Sequence, residues 1–117
     1  MPDSDIRKLT DKIVAFRDAR DWKQFHNPKD LAAGLAIEAA ELQEIFLWKN
    51  PDEVAVSVSE KRERISDELA DVAYYVLLLS HELEIDITEA LTAKLVKNAA
   101  KYPIDKAKGK HAIYDEL

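Results

Sequence analysis

The sequence predicts an all-α protein, and three features support that class. The chain has 117 residues with only two glycines and four prolines, and 47% of its residues are apolar, a profile typical of helical globular proteins. Apolar residues recur at intervals of three and four. Capping residues precede several of these stretches. We therefore expect a single domain over residues 1–117, built as a bundle of four main helices with a short connecting helix and an irregular tail at 104–117.

The first two helices are predicted from caps and apolar stripes. Ser4 can cap the first helix, and a polar connector at 20–27 separates it from the second. Asn27 and Pro28 start the second helix, which we expect to end near Trp48, before Asn50-Pro51. The predicted core residues of these two helices are Ile6, Leu9, Ile13, Phe16, Leu31, Leu35, Leu42, Ile45 and Phe46.

The second half of the chain begins with a cap at Asn50 and a short helical turn through Val56, followed by a predicted break at 57–59. A long helix is expected over about 60–83. Its segment 72–79 is apolar nearly all round, so we expect this helix to lie at the centre of an oligomer, at least a dimer. Asp86 and Glu89 are predicted to open the last helix, which ends near Pro103 and whose inward residues would be Ile87, Leu91 and Leu95.

Composition and charge exclude several functional classes. The net charge of −6 argues against binding of a nucleic acid polymer. Cysteine is absent, which excludes disulfides, thiolate metal sites and a cysteine nucleophile. The N-terminus lacks the apolar core of a signal sequence, and the longest apolar run is too short to span a membrane. We therefore expect a cytoplasmic protein without a membrane partner.

Two acidic pairs with one spacing indicate a metal site. Glu38 and Glu41 lie on the predicted second helix, and Glu68 and Asp71 on the long helix. A spacing of three places each pair on one helical face. Both pairs adjoin apolar residues, where grouped carboxylates repel one another unless cations hold them ionised. An all-carboxylate set favours Mg²⁺, or Mn²⁺, over zinc or iron, since a di-iron bundle would show Glu-x-x-His.

Such a centre most often handles phosphates. Lys94, Lys97 and Lys101 share a helical face and could bind phosphate, although lysines on such a face are often simply solvated. The aromatic residues Trp22, Phe25 and Trp48 could stack on a nucleobase, or they could be core aromatics, with Trp48 packing at a hinge. His26 could contact the edge of the base.

Several motifs together resemble the MazG-like all-α nucleotide pyrophosphohydrolases, and within them a dCTP pyrophosphatase-like branch. The first motif is the pair Glu38 and Glu41, which is followed after 26 residues (42–67) by Glu68-Leu69-Ala70-Asp71. The others are Asp21-Trp22-x-x-Phe25-His26-x-Pro28, the run from Glu41 to Trp48, and Asn98-x-x-x-Tyr102-Pro103 with a basic tail. The resemblance covers roughly residues 20–117.

This resemblance implies an Mg²⁺-dependent enzyme that hydrolyses a nucleoside triphosphate between its α and β phosphates. The expected assembly is an intertwined homodimer or a dimer of dimers (homotetramer), and the expected role is nucleotide-pool sanitation. By the same resemblance, Glu38 or Glu41 activates the attacking water. The implied metal ligands are Glu38, Glu41, Glu68 and Asp71. The implied base-pocket residues are Trp22, His26 and Trp48, and the implied sugar or phosphate contacts are Asn98, Lys101, Tyr102, Lys108 and Lys110.

Two positions depart from the family pattern and bear on base selectivity. Many family members have a further glutamate at the position of Ile37, whereas the dCTP branch has an apolar residue there. Ile13 stands where the dCTP branch carries a histidine. We expect dCTP or a modified deoxycytidine triphosphate as substrate. The alternatives are a dUTP or phosphoribosyl-ATP pyrophosphohydrolase, or a non-catalytic helical module that binds a nucleotide or a partner.

Overall fold

The computed structural model describes residues 4–117, so the first three residues of the predicted domain lie outside the described range. Six α-helices and two 3₁₀ turns make up this part of the chain, and no β-strand occurs in it. The helices are α1 (Asp5–Ala19), α2 (Pro28–Glu44), α3 (Pro51–Glu60), α4 (Arg62–Glu82), α5 (Ile87–Lys101) and α6 (Ile104–Ala107). The 3₁₀ turns are Lys23–Phe25 and Tyr114–Glu116. The predicted all-α class, with four main helices and a short connecting helix, α3, is confirmed.

The predicted helix starts are confirmed by their caps. In each of four helices a side-chain oxygen of the capping residue accepts a hydrogen bond from a backbone N–H of the first turn. The capping residues are Ser4, Asn27, Asn50 and Asp86. Asn50 forms a complete capping box, because its own backbone N–H donates to the Glu53 side chain at 3.2 Å.

Two predicted boundaries and the prediction of an irregular tail were wrong. Helix α2 ends at Glu44 rather than near Trp48, because the chain tightens into i to i+3 hydrogen bonds from Ile45 to Leu47. Helix α3 continues through the serines to Glu60, and the break lies at Lys61, since serine is only mildly unfavourable within a helix. The tail is not irregular throughout, because it contains α6 and the second 3₁₀ turn.

The described chain forms two compact units, residues 4–84 and Ile85–Leu117. In the first unit α4 packs against α1, α2 and α3, and its contact with α2 is the most extensive. The buried apolar residues of this unit are Leu31, Ile45 and Leu78, which places the core between α2 and α4. The acidic pairs lie on these same two helices. The prediction of one domain over the whole chain and that of an oligomer centred on α4 both remain predictions.

Several stripes predicted to be core are open in the single chain. Ile6, Leu9 and Phe16 of α1 are exposed, and so are Leu91 and Leu95 in the second unit. The prediction that these side chains face the interior was therefore wrong for the chain by itself. Periodicity identifies an apolar face but not the surface that covers it, and apolar faces of this extent are typical of surfaces that bind another protein.

Arg17 is a buried residue that the sequence did not single out. It is 2% exposed, and its Nε and Nη2 atoms lie 3.0 and 2.9 Å from Oδ1 of Asp18. Its Nη1 lies 3.6 Å from Oε2 of Glu82, and its backbone oxygen accepts hydrogen bonds from Arg20 and Trp22. Arg17 therefore ties the end of α1 to the end of α4 and to the connector that carries Trp22.

Replacing Arg17 with methionine is expected to lower the free energy of unfolding by about 2 kcal/mol, because charge-assisted hydrogen bonds are lost and two carboxylates lose their partner. Chemical denaturation measures the change. Lys29→Met is the matched control, since Lys29 forms an exposed pair with Asp30 at 3.7 Å, and such pairs contribute about 0–1 kcal/mol. Equal losses in the two variants would contradict a structural role for the buried pair.

Candidate functional site

The acidic residues lie on the seam where α2 meets α4. Along α2, positions 31, 34, 38 and 41 follow one another at intervals of three or four and so share one face. Positions 68, 71, 75 and 78 do the same along α4. Glu68 is close to Glu38 and Glu41, whereas Tyr75 is close to Gly34. Residue numbers thus fall along one helix as they rise along the other, so the two helices are antiparallel.

The structure brings the carboxylates of Glu38, Glu41 and Glu68 together. One oxygen of each lies within 4.8 Å of the others. Asp71, one turn further along α4, is near enough to act electrostatically on both Glu38 and Glu68. The fourfold acidic grouping inferred from the two sequence pairs is therefore present as a compact group of three with Asp71 beside it.

Two oxygens of this group suggest that it binds a cation. Oε2 of Glu38 and Oε2 of Glu68 are shielded from solvent, and neither has a hydrogen-bond partner within residues 4–117. Buried carboxylate oxygens are nearly always satisfied, since leaving a charged acceptor unsatisfied is costly. A hard divalent cation would satisfy both, because Mg²⁺ and Mn²⁺ prefer carboxylate oxygen. The residues present therefore fit a metal ion of that kind.

The same arrangement disfavours ionisation of these glutamates without a cation. Burial, with the neighbouring Glu41 carboxylate adding to it, raises the pKa of Glu38 from 4.5 to about 7. Burial also raises the pKa of Glu68, again with Glu41 as the next cause, while Arg64 acts in the opposite direction. Arg64 lies one helical turn before Glu68 and was not among the predicted site residues. Its spacing of four from Glu68 was the available signal.

The raised pKa predicts how the stability of the metal-free protein depends on pH. The folded chain holds the Glu38 proton more tightly than the unfolded chain, so this contribution is present below pH 4.5 and lost as pH rises through about 7. A divalent cation binds the ionised form. We therefore expect Mg²⁺ to raise the melting temperature more at about pH 8 than at about pH 5.

Thermal unfolding with and without chelator at the two pH values measures this difference. Glu38→Gln provides the control, because removal of the titrating group should reduce the pH dependence. An Mg²⁺ effect that is equal at both pH values would contradict the assignment.

The predicted base-pocket residues Trp22 and His26 lie in the connector between α1 and α2. The ring of Trp22 stands edge to face with Phe16 at 5.8 Å, and the guanidinium of Arg20 lies 3.6 Å from the centre of the Phe16 ring. Trp22 is still 42% exposed. His26 is half-buried, and its Nδ1 is shielded from solvent without a hydrogen-bond partner in the described chain. The Trp22 ring and the Nδ1 atom of His26 can therefore each make a further contact.

Trp48 is not a core residue of this chain. Its side chain is 93% exposed, and its backbone has a φ of 64°, a left-handed conformation that is uncommon for a bulky residue. The alternative that Trp48 packs at a hinge is therefore wrong for the chain alone. An exposed tryptophan on a strained backbone is more typical of a binding position than of a structural one.

The remaining predicted contacts belong to the second unit. Asn98 is half-buried on α5, and Lys101 places its Nζ 4.9 Å from the centre of the Tyr114 ring. Tyr102 stands edge to face with Tyr114 at 6.3 Å. The exposed residues Lys108 and Lys110 follow α6. Within this unit, then, Lys101 and Tyr102 share the Tyr114 ring as a neighbour.

Comparison with known proteins agrees with this architecture. The MazG-like family matches residues 34–117. The chain is 34% identical over 115 residues to dCTP pyrophosphatase 1 of Bos taurus and 36% identical over the same length to that of Homo sapiens. Each alignment covers 97% of this chain and 66% of the relative, so the chain spans slightly less than two thirds of these relatives' length.

A solved structure is similar over most of the fold. The crystal structure of a pyrophosphatase from Archaeoglobus fulgidus superposes with a TM-score of 0.82 at 38% identity, covering 88% of this chain and 96% of that one. The chain therefore belongs to the MazG-like family, as its motifs predicted. Sequence similarity reaches further than the predicted 20–117, because the alignments take in α1 as well.

No helix in residues 4–117 is both long enough and apolar enough to cross a membrane.

Proposed function

We propose that this protein is an Mg²⁺-dependent nucleoside triphosphate pyrophosphohydrolase that releases the monophosphate and pyrophosphate. The preferred substrate is dCTP or a modified deoxycytidine triphosphate, which would give the protein a role in nucleotide-pool sanitation. The names of the similar proteins, dCTP pyrophosphatase 1 and pyrophosphatase, support this reaction. The connector motif with Trp22 and His26 supports the cytidine base over the dUTP and phosphoribosyl-ATP alternatives.

The observation that carries the proposal is the pair of buried, unsatisfied oxygens on Glu38 and Glu68. A solvated acidic surface, as in a non-catalytic module, would leave its carboxylates in contact with water. The Oε2 atoms of Glu38 and Glu68 are instead shielded from solvent, and one oxygen each of Glu38, Glu41 and Glu68 lies within 4.8 Å of the others. A bound cation would satisfy these oxygens and offset the repulsion among the carboxylates at the seam of the two helices.

In the proposed site, Glu38, Glu41, Glu68 and Asp71 hold the metal. The metal, when bound, neutralises phosphate oxygens and lowers the pKa of water. Either Glu38 or Glu41 orients the attacking water and accepts its proton. One oxygen of Glu38 and one of Glu68 are shielded from bulk solvent, which strengthens the electrostatic interactions of those two carboxylates.

Recognition of the nucleotide is assigned to residues outside the acidic group. Trp22 and Trp48 stack on the base, and His26 contacts its edge. The residues proposed to bind sugar or phosphate are Asn98, Lys101, Tyr102, Lys108 and Lys110.

We further propose a homodimer or homotetramer, because the apolar faces of α1 and α5 are open in the single chain. Light scattering after size exclusion measures this state.

Product analysis tests the proposed reaction. The purified protein is incubated with dCTP, dUTP and phosphoribosyl-ATP side by side, with Mg²⁺ or with chelator, and the products are separated by anion exchange. We expect dCMP and pyrophosphate from dCTP with Mg²⁺ only. A preference for one of the other two substrates would overturn the base assignment, and absence of pyrophosphate release from a wide nucleotide panel would overturn the enzyme.

A further inference from the structure

Gly34 is the glycine within α2, and the structure explains its presence there. A Cβ atom built at this position would lie 2.5 Å from Cε1, 2.8 Å from Cζ and 3.1 Å from Cδ1 of Tyr75. Real Cβ atoms do not approach other atoms this closely, so the ring of Tyr75 occupies the space that any other residue at position 34 would need. The backbone of α2 and the ring from α4 are thus in direct contact.

This contact lies one helical turn from the acidic group on both helices. Gly34 precedes Glu38 by four residues on α2, and Tyr75 follows Asp71 by four residues on α4. Residues four apart on a helix lie on the same face. The contact is therefore the next layer of the seam, immediately beside the carboxylates.

Glycine inside a helix has a cost that this contact accounts for. It disfavours helix formation by about 1 kcal/mol relative to alanine, and nothing in the position of Gly34 within α2 requires a left-handed backbone. Its remaining property is the lack of a side chain, which lets α2 and the Tyr75 ring approach closely. A close approach here fixes how far apart the two helices stand at the next turn.

We propose that Gly34 and Tyr75 act as a positioning pair that sets the separation of the two helices, and with it the metal affinity of the acidic group. The inference rests on the proposed function, because it takes the group to be a metal site. A larger side chain at position 34 displaces the Tyr75 ring or α4 itself, and the carboxylates of Glu38 and Glu68 then no longer converge on one ion.

A double-mutant cycle in the full-length protein tests the pair. The variants are Gly34→Ala, Tyr75→Leu and the double variant, and the readouts are the melting temperature without metal and the dissociation constant for Mn²⁺ measured by calorimetry. In the wild-type background we expect Gly34→Ala to lower the melting temperature and to weaken Mn²⁺ binding about tenfold, as is typical when a residue that supports metal ligands is changed.

In the Tyr75→Leu background the same alanine is expected to be neutral or stabilising, because the ring is gone and only the better helix propensity of alanine remains. Ala33→Gly is the matched control. Ala33 is exposed on the same helix, so this change should lower the melting temperature through helix propensity alone and leave the Mn²⁺ dissociation constant unchanged.

The outcomes separate this inference from the proposed function. A Gly34→Ala variant with a raised melting temperature and wild-type Mn²⁺ affinity would overturn the positioning role alone. The same holds if the alanine weakens binding equally in both backgrounds. A wild-type protein that shows no saturable Mn²⁺ binding would instead overturn the metal site, and this inference with it.

Discussion

Replacing Glu38 with glutamine is expected to abolish release of pyrophosphate while making the metal-free protein more stable at neutral pH. The loss of activity should exceed the roughly 10- to 100-fold typical of residues that only support a metal ligand, because Glu38 is itself a proposed ligand. The gain in stability follows from its environment. Burial and the neighbouring Glu41 raise the pKa of Glu38 to about 7, which means that its ionised form is disfavoured in the folded chain.

These opposite signs distinguish a functional carboxylate from a structural one. A residue that holds the fold together loses activity and stability together when it is changed. A residue retained for a ligand, at the expense of stability, gains stability when its charge is removed. Pyrophosphate release is measured with Mg²⁺, and the melting temperature is measured in chelator at about pH 8.

Glu63→Gln is the matched control, since Glu63 is exposed in the first turn of α4 and undergoes the same chemical change. It should leave the activity close to that of the wild type. A Glu38→Gln variant that retains activity would contradict the proposed ligand set. A variant that loses stability would show that the carboxylate is satisfied in the folded chain without a cation.

Replacing Trp48 with alanine is expected to raise KM for the nucleotide about tenfold with little change in kcat, because stacking of a base on an aromatic ring contributes about 1–3 kcal/mol. The fold should be nearly unaffected. Removal of a buried tryptophan costs about 3–5 kcal/mol, but the side chain of Trp48 is 93% exposed in the chain.

Steady-state kinetics and thermal unfolding together measure the Trp48 effect. Trp48→Phe is the matched control, since phenylalanine keeps an aromatic face and should restore most of the affinity. If Trp48→Ala destabilises the protein strongly and phenylalanine restores stability rather than KM, the side chain packs against another surface and its assignment to the base pocket fails.

Much of the fold follows from local sequence signals. Asn50 with Pro51 and Glu53 marks a helix start by simple capping chemistry, and the structure forms the complete capping box there. Such signals act over three or four residues, so they can be read without knowing the rest of the chain. The end of α2 could not be read in the same way, because the tightened turn at 45–48 depends on tertiary packing, with Ile45 buried.

The acidic group could be predicted because its two halves are each encoded by a spacing of three. Antiparallel packing of α2 on α4 then brings the two halves together. The contact of Gly34 with Tyr75 could not be predicted, because it joins residues 41 positions apart that carry no local signal. Arg17 is similar. Its side chain is 2% exposed and pairs with Glu82 at the far end of α4, which is again a contact between distant parts of the chain.

The apolar faces show most clearly what could not be predicted from the sequence. The stripe that contains Leu9 and Phe16 was expected to be core, yet these side chains are exposed in the chain. An apolar stripe indicates that a helical face is buried, but the same pattern occurs in a core and at an interface between subunits. The proposed dimer or tetramer would reconcile the pattern with the exposure.

The most direct test of the central claim is a crystal structure of the protein with Mn²⁺, with anomalous data collected at the manganese edge. We expect an anomalous peak about 2 Å from carboxylate oxygens of Glu38 and Glu68, with Glu41 and Asp71 beside it. A peak at another site, or no peak at a saturating Mn²⁺ concentration, would contradict the assignment of the α2–α4 seam as the metal centre.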